Sequence, residues 1–124
     1  MTERPSQTWQ NAKTAAVAAG VRPGESYAVD IDPAFIAAVD QALAGYEAEV
    51  RALTPAATDE QIWATVEHVV TALNQADEGI DTIEREELAE YLDHVLDKAG
   101  IDVTALTTRR GIDRAELTDQ WRDW

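Results

Sequence analysis

The sequence contains no cysteine, which removes thiolate nucleophiles, disulfides and thiolate metal sites together. Bases are scarce: 10 Lys and Arg stand against 24 Asp and Glu, for a formal charge of −14 and a pI near 4.3. Phosphate recognition depends on cations that release counterions, so this balance excludes nucleic acid as a partner and argues against docking on anionic lipid. No apolar run is long enough for a membrane span or a signal-sequence core, and Met1–Ser6 is polar, so no membrane association and a cytoplasmic location are expected. Gly-x-Ser-x-Gly, a phosphate-cradling glycine loop and His-Glu-x-x-His are all missing. On that reading no catalytic residue, resident metal or cofactor is assigned, and an enzyme is disfavoured.

What is present suits a folded domain. The 124 residues are 45% hydrophobic, too apolar for a disordered acidic tail and long enough to bury roughly two-thirds of the unfolded chain's surface. The expectation is a single helical domain over residues 1–124, with about 1–7 as a flexible N-terminal tail.

Local signals predict the elements. A first helix runs from about Thr8 to Ala19, with Ser6 or Thr8 as N-cap and Gly20 just past its end. Tyr27, Val29 and Ile31 alternate, consistent with a brief extended stretch. Asp32-Pro33 opens a second helix, a capping carboxylate followed by proline at the first helical position. Ile36, Val39, Leu43, Tyr46, Val50 and Leu53 then recur at spacings 3, 4, 3, 4, 3, one buried seam. Ala38, Ala42, Gly45 and Ala52 form a smaller face, and close approach of the Ala-rich first helix would account for Gly45.

Thr58-Asp-Glu-Gln61 reads as a capping box for a third helix with a wide apolar stripe: Ile62, Trp63, Val66, Val69, Val70, Leu73 and Ala76. A fourth helix opens at Asp81 or Thr82, with Glu84 completing a box from Asp81. It buries Ile83, Leu88, Tyr91, Leu92, Val95 and Ala99 and stops at Gly100. A short last helix is capped by Asp113 and carries Leu117, Trp121 and Trp124 on one face. Gly-Ile-Asp recurs at Gly79, Gly100 and Gly111 as punctuation between elements. The fold class is all-α, a compact bundle of four main helices plus a short C-terminal helix.

The charge is unevenly spread. Residues 1–58 carry 7 acids and 4 bases, and residues 59–124 carry 17 and 6. Asp77 to Asp97 alone holds nine acids against Arg85. Glu86, Glu90, Asp93 and Asp97 fall at spacings 4, 3, 4 and share one helix face. That face can be simply solvated, can dock a basic protein by electrostatic complementarity, or can offer oxygen ligands to a divalent cation. Metal templates fit poorly. An EF-hand loop built around Gly79 would place Ala76 and Arg85 at ligand positions, and the Glu-x-x-His of di-metal bundles is broken by Thr65 and Tyr91. Glu84/Glu87 and Glu90/Asp93 mimic a pyrophosphohydrolase pattern but lie on one helix.

His68 and His94 are the two imidazoles, and Glu90 is placed to pair with His94. Trp121, Arg122 and Trp124 either dock the C-terminus on the bundle or form a C-terminal anchor for a partner. Arg109, Arg110, Arg114 and Arg122 are expected to pair internally with the fourth helix.

Gly79-Ile-Asp-Thr-Ile-Glu-Arg-Glu-Glu-Leu88 and Glu116-Leu-Thr-Asp-Gln-Trp-Arg-Asp-Trp124 resemble a group of small acidic bacterial proteins that share these motifs. The likeness covers the chain from Trp63 onward and implies kinship without an activity. Small acidic immunity proteins are similar in size and charge alone. The leading expectation is therefore a non-catalytic interaction module for a basic protein, with Glu86, Glu90, Asp93 and Asp97 as the docking face. The alternatives are a metal-dependent enzyme using those carboxylates with His94, and an immunity- or antitoxin-like inhibitor of a basic partner. A homodimer through the aromatic terminus is a further possibility.

Overall fold

The computed structural model describes residues 3–76 and 82–124. Among these there is no strand, and the order is α1 (Pro5–Ala18), α2 (Tyr27–Asp30), α3 (Pro33–Ala52), α4 (Asp59–Ala76), α5 (Thr82–Lys98), α6 (Val103–Arg109) and a single 3-10 turn, Arg114–Glu116. The chain is all-helical over the described residues, and no helix there is long and apolar enough to cross a membrane.

The strongest local signals form as read. Asp32 Oδ1 accepts from the Ala34 amide at 2.9 Å, with Pro33 at the first helical position. Thr58 and Gln61 exchange bonds reciprocally: Gln61 Oε1 accepts from the Thr58 amide at 2.9 Å, and Thr58 Oγ1 from the Gln61 amide at 3.2 Å. Asp81 lies outside the described residues, so the second expected box does too.

Gly-Ile-Asp closes a helix at both described copies but opens an α-helix only at Gly100, since Asp113 makes no side-chain cap bond and a 3-10 turn follows it. At Gly100 and Gly111 the backbone turns left-handed, with φ of +88° and +78°, a conformation that glycine adopts without Cβ strain. The following isoleucine amides then reach back, Ile101 to the Leu96 carbonyl and Ile112 to the Thr107 carbonyl, both at 3.1 Å, closing each helix. Asp102 next caps α6 by accepting from the Ala105 amide at 3.0 Å. The copy at Gly79 lies outside the described residues.

Several expectations are corrected. Residues 4–7 are not a tail: α1 starts at Pro5, and Pro5 and Ser6 are buried. Residues 27–30 make one helical turn instead of an extended stretch, because Ser26 accepts from Val29 and Asp30 through its carbonyl and from Ala28 through its hydroxyl. Helix α6 was not anticipated, and residues 113–124 do not form the expected short terminal helix. Beyond the 3-10 turn they run as turns. The Asn74 side chain of α4 ties this segment down, donating to the Trp121 carbonyl at 2.7 Å and accepting from the Asp123 amide at 3.0 Å.

The core is one cluster. It takes the seam of α3 from Ile36 to Val50, the α4 stripe from Ile62 to Leu73, Leu88, Leu92 and Leu96 of α5, Val103 and Leu106 of α6, and Trp9 of α1. Leu96 is fully buried although the periodicity had favoured Ala99, which is exposed. Trp9 stacks on Phe35 with ring centroids 5.9 Å apart. Tyr46, 1% exposed, donates its hydroxyl to the Leu92 carbonyl at 2.7 Å.

Gly45 does not mark a close approach. A Cβ there would meet nothing within 4 Å, and α1 reaches the core through Trp9 while Ala12, Ala15, Ala18 and Val17 stay exposed. Gly45→Ala is therefore expected to stabilise the fold by about 0.5–1 kcal/mol in urea unfolding. Leu43→Ala, at a fully buried seam position, is expected to cost about 2–5 kcal/mol by the same measurement.

Candidate functional site

The acidic face lies on the outer side of α5. Glu86, Glu90 and Asp97 are exposed and Asp93 is half-buried. A groove of about 430 Å³ separates this face from the segment 114–118, with Ala89, Ala115 and Leu117 among its lining. One end of the face is already neutralised. Arg114, presented by the 3-10 turn, makes a two-pronged bond to Asp93 at 2.7 and 2.6 Å, lies 3.6 Å from Asp97 and touches Thr104 Oγ1 at 3.2 Å. The bond to Asp93 holds the Arg114 pKa above its ordinary value. Glu86 and Glu90 make no hydrogen bond or ion pair among the described residues.

The histidines do not share a site as paired ligands. His68 Nδ1 lies 2.8 Å from Glu49 of α3, both exposed. His94 lines the acidic groove and two smaller ones, and Glu90 lines two of the three beside it. Among the described residues no three of His, Cys, Asp and Glu gather as metal ligands.

The expected pairing of the C-terminal arginines with this helix holds for Arg114 alone. Arg109 binds Asp59 of α4 in a two-pronged bond at 2.8 and 2.9 Å. Arg110 lies over the Trp63 ring at 4.5 Å and the Trp121 ring at 5.6 Å, a cation–π arrangement, and donates to Gln120. Arg122 pairs with Asp119 at 3.1 Å and covers Trp124 at 5.2 Å. Trp121 packs on Trp63 with centroids 6.0 Å apart, and Trp124 is 6% exposed. The aromatic surface of this terminus is thus largely taken up within the chain.

A second polar cluster escaped the sequence reading. Arg4 donates to Glu47 at 2.7 and 3.2 Å and to Asp40 at 3.3 Å. Ser6 donates to Asp40 at 2.8 Å, and Tyr91 donates to Glu47 at 2.7 Å. Trp9 Nε1 reaches Glu87 at 2.8 Å. The spacing of Asp40 and Glu47, two turns apart along one edge of α3, is the signal that points to it. Burial works to raise the Glu47 carboxyl, but the bonds from Arg4 and Tyr91 outweigh it and hold the pKa below the usual range. Burial, then the bond to Glu47, pushes the Tyr91 hydroxyl up to about 12.

Comparison with protein-family models, with curated proteins and with solved structures gives no match for this chain.

The Glu47 shift sets a pH dependence. A carboxyl whose folded pKa is depressed stabilises the fold above its unfolded value, near 4.5, and that stability is lost as pH falls through the folded value. Urea unfolding across the acid range should show the wild type losing stability more steeply than Glu47→Gln below about pH 4.5, with the variant less stable at neutral pH.

Proposed function

We propose that this chain is a non-catalytic interaction module, a compact helical bundle that docks a basic protein on the outer face of α5. The face carries Glu86, Glu90, Asp93 and Asp97, with Glu86 and Glu90 as its open carboxylates and Asp93 and Asp97 engaged by Arg114. The observation that carries this reading is the state of Glu86 and Glu90. They sit one helical turn apart, exposed, beside a groove, and without a cation among the described residues. Like charges at that spacing weaken a helix by a few tenths of a kcal/mol, so an arriving Lys or Arg relieves a local repulsion. Arg114 on Asp93 and Asp97 supports the reading, as an internal cation already accepted by the same face. Complementary charge of this kind acts mainly on association rate and partner choice. The metal-dependent alternative draws no support from the described residues, where Arg114 occupies the only two acids of the face that come together on one partner.

A labelled Lys- and Arg-rich helical peptide, followed by fluorescence anisotropy, tests the face. Glu86→Lys with Glu90→Lys should weaken binding by about tenfold or more, as expected for loss of charge-assisted contacts. Glu60→Lys with Glu67→Lys, which makes the same charge change on exposed positions of α4, should weaken it much less. Equal losses from the two pairs would mean that only net charge matters and would remove α5 as a docking face. Addition of Mg²⁺, Mn²⁺ or Ca²⁺ should leave the thermal midpoint unchanged, whereas a bound ion would raise it by mass action.

A further inference from the structure

On the side of α5 away from the acidic groove, α3 and α5 enclose a smaller groove of about 270 Å³. Its walls include Val50, Val95 and Tyr91, and its ionisable groups include Glu47, Arg51, His94 and Lys98. Glu47 is already held by Arg4 and Tyr91. Arg51 and Lys98 are exposed and have no hydrogen bond or ion pair among the described residues. Arg51 lies one turn from Glu47 on α3 and acts on it electrostatically, yet the donors of Arg51 and Lys98 stay unengaged by a hydrogen bond among the described residues and line the same groove.

Each base occupies the last turn of its helix, where a cation offsets the macrodipole. That role does not engage their donors. The terminal carbonyls of α5 are met by backbone amides: Val95 by Ala99 at 3.2 Å, Asp97 by Gly100 at 3.0 Å and Leu96 by Ile101 at 3.1 Å. Neither side chain donates to a carbonyl. The net charge of the molecule opposes an incoming anion, but beyond about 8 Å that field is screened at physiological ionic strength. Asp93 and Asp97, the nearest acids along α5, are engaged by Arg114 on its opposite side.

We propose that this groove binds a small carboxylate with an apolar body, the carboxylate between Arg51 and Lys98 and the body against Val50, Val95 and Tyr91. The volume sets the size: it falls below the roughly 300–1,000 Å³ of pockets for drug-sized ligands, so the occupant is a short chain. The apolar wall selects against a bare anion, and the two cations select against a neutral or cationic chain. This site shares His94 with the acidic groove but none of the carboxylates of the docking face.

Hexanoate is the probe, with hexanol, hexylammonium and inorganic phosphate as comparisons, read from the amide signals of Val50, Val95 and Lys98 by NMR titration of the full chain. Hexanoate should give saturable shifts and the other three should not. Arg51→Gln with Lys98→Gln, at exposed positions that leave the core intact, should weaken hexanoate by about tenfold or more, while Glu86→Lys with Glu90→Lys leaves it in place. The proposal is overturned by an absence of saturable shifts with hexanoate, by equal binding of hexanol, by equal binding of phosphate, by tighter binding of hexylammonium, or by undiminished hexanoate binding in the double glutamine variant.

Discussion

Two adjacent residues of α3 hold α5 in place, and the rest of the molecule is arranged around that hold. Tyr46 sends its hydroxyl through the core to the Leu92 carbonyl. Glu47, the next residue and about 100° around the helix, binds Tyr91 at the edge of the same interface and is itself held by Arg4. One bond is buried and neutral, the other is partly buried and ionic. Together they fix both the depth and the rotation of α5 against α3. Removing Glu47 would leave the Tyr91 hydroxyl short of an acceptor at a buried position and Arg4 with Asp40 alone, and an unmet buried donor costs more than the bond's own net contribution.

That fixed rotation determines what α5 can show to solvent. With Leu88, Tyr91, Leu92 and Leu96 turned inward, Glu86, Glu90, Asp93 and Asp97 can only lie on the outer side. A row of like charges at spacings of three and four opposes helix formation. The fold compensates half of it, because α6 and the turn after it bring Arg114 to Asp93 and Asp97. The other half is left standing. Glu87 escapes the same repulsion by turning to the Trp9 indole, so the helix has a way to settle an acid internally and does not use it for Glu86 and Glu90.

What could be read from the sequence follows the range of each interaction. Asp32-Pro33, the Thr58 to Gln61 box and the α3 and α4 seams are specified by residues within a few turns of one another, and they form as read. The orientation of the acidic face was legible for the same reason, through its spacing on one helix. Its partial neutralisation was not, because Arg114 and Asp93 are 21 residues apart. Arg4 and Glu47 are separated by 43, and Arg109 and Asp59 by 50, and no local pattern matches such partners. Helix α6 is a different kind of miss. Val103-Thr-Ala-Leu-Thr-Thr carries β-branched residues that argue weakly for helix, yet Gly100-Ile101-Asp102 states both the end of α5 and the cap of α6. The same three residues at Gly111 lead only into a 3-10 turn, so the repeat marks the end of a helix reliably and the start of the next one only where the aspartate caps it. Spacing along the seam points to Ala99, but α5 ends at Lys98, and Leu96, one turn on from the fully buried Leu92, is the last residue of the helix turned into the core.

The net charge of −14 describes this molecule poorly at the distance where binding occurs. A partner in contact meets individual groups, and their states differ along a single helix. Asp93 offers little to an incoming cation, because a two-pronged arginine bond must first be broken. Glu86 and Glu90 offer two carboxylates one turn apart with nothing to displace. On the docking reading proposed above, selection would fall on the spacing of a partner's cations as well as their number: two bases at helical spacing would meet both carboxylates, whereas a single base would meet them only in part. Arg114 closes the adjacent position by pairing with Asp93 and Asp97, so on that reading the residue that neutralises one end of the α5 face would also narrow what the face accepts.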